Sequence, residues 1–291
     1  MPAEYPPPVA QLIRLGKVEA WGHQSSADWP DYVAQFGLEP QHSPDLIRLL
    51  TATDLEGDEG SEDTDDDLTV WAALHAWRAL GQLRAAAAVA PLLDLLDHAD
   101  DDASFEEMPH VFGLIGPPAL PLLQDHLAAH HHEYHHASAS ALGGIRQIAE
   151  QHPASRDSAV AILLHFLAQS ADNDPAFNGF LIGELTDLQV TEALPLIEQV
   201  FAADRVDIMM TDWPLTQFQF GLISEDEMKA RSVELTARRR AINAPIMAAL
   251  DAVRDRLAEQ GRSQPRKPTI SPAKAKRKQA AAARKKNRPR K

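Results

Sequence analysis

The sequence predicts an all-α fold, a right-handed α-solenoid of stacked helix hairpins over residues 1–261 followed by a disordered basic tail over 262–291. Three observations predict it. A proline followed by two aliphatics heads a helical pattern at Pro91-Leu92-Leu93, Pro121-Leu122-Leu123 and Pro195-Leu196-Ile197, with Ala161-Ile162-Leu163 in the third of four places. The spacings of 30, 40 and 34 residues match one helix hairpin stacked on the next. Glycine is sparse, alanine abundant and β-branched runs few, so intrinsic propensity favours helix nearly throughout. Charge is also partitioned: residues 262–291 hold 13 of the 28 Lys and Arg and no acidic residue, leaving residues 1–261 at −27.

Two helices are expected before the clear repeats. One opens at Pro8 and carries Leu12, Ile13 and Leu15; another opens at Pro44, with Ser43 as its N-cap, and carries Leu46, Ile47, Leu49 and Leu50. The stretch from Trp21 to Leu38 between them is irregular, punctuated by Trp29-Pro30 and Gly37. Residues 54–67 contain nine carboxylates, cannot offset the cost of ordering by burial, and read as an exposed acidic loop. The glycine and terminal glutamate of a calcium loop do not fall at the required positions there.

The first hairpin pairs Leu68–Leu80 with Ala88–Leu96 across Gly81-Gln82-Leu83-Arg84. The second opens on a capping box, Ser104-Phe105-Glu106-Glu107, and turns at Gly116-Pro117-Pro118. The third runs over Tyr134–Ala149 and Ser158–Leu167, broken by Pro153, and the fourth over Phe177–Leu185 and Thr191–Phe201. Each first helix ends in a small-and-aliphatic phrase, such as Ala79-Leu80-Gly81 or Ala141-Leu142-Gly143, which suits close approach of the two helices of a hairpin. Asp204–Gly221 reads as a structured loop. A further helix opens on the capping box Ser224-Glu225-Asp226-Glu227, and another covers Ile246–Leu257.

The absence of cysteine excludes disulfides, thiolate zinc sites and cysteine nucleophiles, and it fits a reducing, cytoplasmic setting. The N-terminal stretch lacks a basic region followed by an apolar run, and no window approaches the length of a membrane span, so no membrane partner is expected. An acidic body repels phosphate backbones, which argues against the repeats themselves lying on nucleic acid.

The phrase Trp71-Ala72-Ala73-Leu74-His75-Ala76-Trp77-Arg78-Ala79-Leu80-Gly81 resembles the HEAT-like repeats named after phycobilisome lyases. Residues 101–116, 178–197 and 206–213 also resemble an uncharacterised bacterial domain family, and the likeness spans roughly residues 5–225. The resemblance implies a helical repeat fold and supplies no established activity. Some members of that family end in a cysteine-rich zinc module. Gly261-Arg262-Ser263-Gln264-Pro265 begins similarly, but no cysteine follows, so zinc binding by that route is excluded.

Several side chains invite a chemical reading. Histidines crowd one hairpin: His126, His130, His131, His132, His135 and His136. On a continuous helix, His131 with His135 and His132 with His136 form i, i+4 pairs able to chelate a transition metal; the alternative is a solvated polar turn. A single His-Glu dipeptide, His132-Glu133, cannot furnish the di-iron site of the HEAT-repeat deoxyhypusine hydroxylases. Trp71, Trp77 and Trp213 could stack on bases as in HEAT-like DNA glycosylases, but they sit among aliphatics at helical spacing, as core residues do.

Asn178, Glu184, Asp187, Asp212 and Trp213 are candidates for a partner-binding site; Asn178 and Asp187 also read as the start and end of a helix. In the tail, Lys274, Lys276, Arg277, Lys278, Arg284, Lys285 and Lys286 resemble a basic arm that binds nucleic acid nonspecifically, docks on the acidic body, or simply solubilises. No catalytic residue and no cofactor is assigned. The functional expectation is a non-catalytic scaffold binding a basic protein partner on its acidic surface. The alternatives are a nucleic-acid adaptor working through the tail and a metal-dependent enzyme.

Overall fold

The computed structural model describes residues 5–18, 25–50, 71–98, 102–133 and 135–237, and among them every regular element is helical. The fold is all-α. The acidic stretch 54–67, the helix starts expected at Leu68 and Tyr134, the helix over Ile246–Leu257 and the basic tail lie outside the described residues. One compact unit is Met1–Ser232 and a second is Val233–Lys291, described only as far as residue 237. No described helix is long and apolar enough to cross a membrane.

Three short helices come first: α1 (Pro7–Leu12), α2 (Tyr32–Phe36) and α3 (Ser43–Leu50). The Asp31 carboxylate caps α2 by accepting from the Ala34 N–H at 2.8 Å, and Gly37, at φ 64°, closes it. Ser43 is not an N-cap. A 3₁₀ turn, Pro40–His42, leads into α3, so Ser43 is already helical at φ −56° and ψ −40°.

Four hairpins follow: α4 (Ala72–Gln82) with α5 (Val89–His98), α6 (Asp102–Ile115) with α7 (Leu120–His130), α8 (His136–Gln151) with α9 (Arg156–Leu167), and α10 (Pro175–Asp187) with α11 (Leu194–Ala202). A 3₁₀ turn precedes every second helix, at Ala86–Ala88, Pro117–Ala119, Pro153–Ser155 and Thr191–Ala193. Two of these turns follow a left-handed residue at the same place, Arg84 and Gln189, both at φ 53°, and a third follows Gly116 at φ 83° and ψ −156°. A β-carbon at Gly116 would also meet the His152 ring at 2.7 Å, so glycine is required there twice over.

These turns set a register that differs from the sequence reading in the third hairpin. Leu92, Leu123, Ala159 and Ile197 each follow their 3₁₀ turn by the same interval, and all are buried. The third counterpart of the proline phrase is therefore centred on Asp157-Ser158-Ala159, not on Ala161-Ile162-Leu163. Pro153 has moved into the turn, where its missing N–H costs nothing.

Successive first helices pack on one another, α4 on α6, α6 on α8 and α8 on α10, while α8 also packs on α7 and α9. Fully buried Leu80, Phe112, Ile145 and Leu181 lie along this series. The small residues act here rather than within a hairpin. A β-carbon on Gly144 of α8 would come within 2.8 Å of the Phe112 side chain of α6, a contact only glycine allows.

Two further expectations change. Ser104 does not open α6, because the helix has begun by Asp102, and Glu107 is wholly buried instead of capping. The stretch expected as a loop over Asp204–Gly221 contains α12 (Trp213–Gln219), capped by Asp212, whose carboxylate accepts from the Leu215 N–H at 2.7 Å. The last described helix, α13 (225–237), opens as expected: Ser224 Oγ accepts from the Glu227 N–H at 3.3 Å and Glu227 accepts from the Ser224 N–H at 3.2 Å.

Candidate functional site

The first polar cluster lies between α4, α6 and the segment that carries α2. Arg78 and Glu107 are both fully buried. The Arg78 guanidinium donates to both carboxylate oxygens, with Nε 2.8 Å from Oε2, and Trp77 Nε1–H adds a third donor at 2.9 Å. Trp29 lies under the guanidinium, 4.9 Å from Cζ to the ring centroid. Burial opposes the charge on Arg78, but Glu107 and Tyr32 outweigh it and hold the guanidinium above its ordinary range.

Beside this pair, Tyr32 O–H meets His75 Nδ1 at 2.9 Å while His75 Nε2 meets the Gly16 carbonyl at 2.9 Å. A carbonyl only accepts, so His75 carries its proton on Nε2 and Tyr32 is the donor. Burial pushes the Tyr32 hydroxyl up and the His75 imidazole down, so both are neutral at physiological pH. Gln82 completes the join, accepting from the Tyr32 N–H and donating to the Pro30 carbonyl. The cluster fastens Gly16, Pro30 and Tyr32 to the first hairpin.

The second cluster takes up one member of the expected partner-binding set, Asn178. Asn178 is fully buried on α10; its amide donates to the carbonyls of Ser170 at 3.0 Å and Arg205 at 2.8 Å, and its Oδ1 accepts from Asn173 at 2.8 Å. Asn173 donates also to the Phe166 carbonyl and accepts from His131 Nδ1–H at 2.9 Å. This ladder joins the end of α7, the end of α9, α10 and the loop after α11. Asn178 does not start its helix either; Asp174 caps it, accepting from the Ala176 N–H. Trp213 is half-buried with its ring 5.6 Å from Phe201, and Trp77 is buried, so both tryptophans serve the core.

Glu184 and Asp187 sit elsewhere, around Arg146 of α8. Arg146 Nε donates to Glu184 at 2.6 Å, Nη1 donates to Glu150 at 2.9 Å, and Asp187 lies 3.7 Å away. Burial pushes the Glu184 carboxyl up to about 7, against the pull of Arg146. The native state therefore holds a proton between about pH 4.5 and about pH 7 that the unfolded chain has lost. Relative to Glu184→Gln, the wild type is expected to lose stability as pH rises through that window, on the order of 3 kcal/mol in all. Urea unfolding of both proteins at several pH values measures it; a gap independent of pH refutes it.

The histidines divide into two groups. The i, i+4 pairs do not form, because α7 ends at His130 and α8 begins at His136, leaving His131, His132 and His135 off a common helix. His131 belongs to the asparagine ladder, His132 Nδ1–H donates to the Asp172 carbonyl at 2.8 Å, and His136 is exposed. His135 turns the other way, toward Asp97 in the last turn of α5 and His126 on α7. One ligand atom from each of Asp97, His126 and His135 lies within 4.8 Å of the other two. Burial pulls His126 down to about 4, with Asp97 opposing and His130 and His135 adding to the fall.

The tail residues Lys274, Lys276, Arg277, Lys278, Arg284, Lys285 and Lys286 lie outside the described residues. Sequence reasoning missed Arg78, Glu107 and Asp97. Arg78 had a signal, a charge inside the apolar run Trp77-Arg78-Ala79-Leu80 at core spacing. His126 had one too, falling between Leu123 and Leu127 on the buried stripe of α7. Comparison of the chain with protein-family models, with curated proteins and with solved structures gives no match.

Proposed function

We propose that this chain is a non-catalytic scaffold, a right-handed solenoid of HEAT-like hairpins whose acidic surface binds a basic protein partner in the cytoplasm. Four hairpins with a common 3₁₀ turn, and first helices that pack in chain order, support the repeat part of the reading. Charge carries the functional part. Residues 1–261 amount to −27, and Glu150, Asp157, Asp187, Glu192 and Glu198 of the third and fourth hairpins are exposed. Such a surface steers and selects a cationic partner. The asparagine ladder and the Arg78–Glu107 cluster hold elements together, which accounts for them without a substrate.

A second reading, a nucleic-acid adaptor, is favoured by the 13 Lys and Arg of residues 262–291, which no acidic residue offsets. One experiment separates the two. Full-length protein, and a variant with Lys274, Lys276, Arg277, Lys278, Arg284, Lys285 and Lys286 changed to Gln, are used for affinity capture from host lysate with and without nuclease, followed by mass spectrometry. The scaffold reading expects the same nuclease-resistant basic protein with both, released by salt. Recovery of nucleic acid alone, lost in the tail variant, overturns it in favour of the adaptor.

A further inference from the structure

The cluster at Asp97, His126 and His135 has a property that a structural hydrogen-bond network lacks. Asp97 Oδ1, His126 Nε2 and His135 Nδ1 are each shielded from solvent, and none has a hydrogen-bond partner. His135 Nδ1 and Asp97 Oδ1 stand 3.4 Å apart, within ion-pair distance but without hydrogen-bond geometry. His126 is 9% exposed, and ligand atoms of the three side chains lie within 4.8 Å of one another. Buried polar atoms are normally satisfied, and three unbonded ones on side chains this close together are an exception that needs a cause.

We propose that Asp97, His126 and His135 bind a divalent first-row transition ion of the zinc class, placed where α5, α7 and the start of α8 meet. The chemistry of the set fits: two imidazoles and one carboxylate are ligands of zinc and its neighbours. So does the spacing. Ligand atoms about 2.0–2.1 Å from a tetrahedral ion lie roughly 3.3 Å apart, and Asp97 Oδ1 to His135 Nδ1 already measures 3.4 Å. The longest separation, within 4.8 Å, closes by modest side-chain rotation. Each ligand comes from a different element: the last turn of α5, the middle of α7, and the residue before α8. The ion would thus clamp the first, second and third hairpins, and a fourth coordination position is left for water or another ligand.

The surroundings support the ligands. His130 Nδ1–H donates to the His126 carbonyl at 2.8 Å and its ring stacks on His126, with centroids 4.3 Å apart. The ring contact limits how far the His126 imidazole can turn.

The test uses tag-free full-length protein stripped with chelator and titrated with Co²⁺ and Zn²⁺. One equivalent of Co²⁺ is expected to bind with the intense visible absorption of a low-coordinate ion, and Zn²⁺ is expected to displace it and raise the melting temperature. Asp97→Asn, His126→Gln and His135→Gln are expected to weaken binding by more than about 100-fold, since even outer-shell partners are worth roughly 10- to 100-fold. His132→Gln and His136→Gln should leave affinity unchanged. His135 is partly exposed, so His135→Gln keeps its fold by circular dichroism and guards against mere unfolding. The proposal is overturned if wild-type protein binds no ion at micromolar metal. It is equally overturned if loss follows His132 and His136 rather than Asp97 and His135, which would mean surface chelation.

Discussion

Glu107→Ala is expected to lower the stability of the chain by about 3–5 kcal/mol, the usual consequence of leaving one member of a buried ion pair uncompensated. Both partners are fully buried, and Glu107 accepts from three donors on Trp77 and Arg78. Removing it strands the guanidinium between α4 and α6, where water cannot replace the carboxylate. Arg78→Met alone should cost a comparable amount by leaving the carboxylate behind. The double variant Arg78→Met with Glu107→Gln behaves differently: methionine fills the space, and the glutamine carbonyl still accepts from Trp77 Nε1–H. It is expected to be more stable than Glu107→Ala and to lie within about 2 kcal/mol of wild type, because a buried pair as a whole contributes little net stability. Equilibrium urea unfolding decides the matter. A Glu107→Ala protein within about 1 kcal/mol of wild type would mean that the pair is hydrated and the argument fails.

The same cluster shows what a sequence can and cannot disclose. The apolar stripe and the prolines at or near the start of each second helix are local signals, and they place all four hairpins to within a few residues. Glu107 belongs to a local pattern too, Ser104 with Glu107, which imitates a helix start. That reading fails because Arg78, far off in sequence, competes for the carboxylate, and only tertiary packing brings the two together. Asp97 had no local signal, since an acidic residue near a helix end reads as solvated. The end of α7 at His130 likewise cannot be inferred from a run of histidines, and it decides which histidines converge. The third phrase reads as Ala161-Ile162-Leu163 because Pro153 serves the turn instead of the helix, which leaves Asp157-Ser158-Ala159 without the proline and aliphatic pair that mark the other three.

Asn178 is the residue for which sequence and structure assign the most different roles, and its substitution separates them. As a partner-binding residue it would be replaceable at little cost to folding. In the ladder it supplies two donors and one acceptor, to Ser170, Arg205 and Asn173. Asn178→Ala leaves one buried amide hydrogen and two half-buried carbonyls without their partner; the first is worth about 1–3 kcal/mol and the others less, so a loss on the order of 2–4 kcal/mol is expected. Asn178→Asp keeps the shape but sets a carboxylate against the carbonyl oxygens of Ser170 and Arg205. It should be the worse of the two at neutral pH and recover as the pH falls, since the protonated acid regains a donor while the ionised form has none. Melting temperatures of wild type and both variants between about pH 5 and about pH 8 test this. The ladder also ties the end of α7 to the loop after α9 through His131 and Asn173, so amide exchange should quicken first at residues 170–178 and 205–207 in Asn178→Ala. Unchanged exchange there, with stability near wild type, would return Asn178 to the surface role and remove the main argument that this part of the chain is structural.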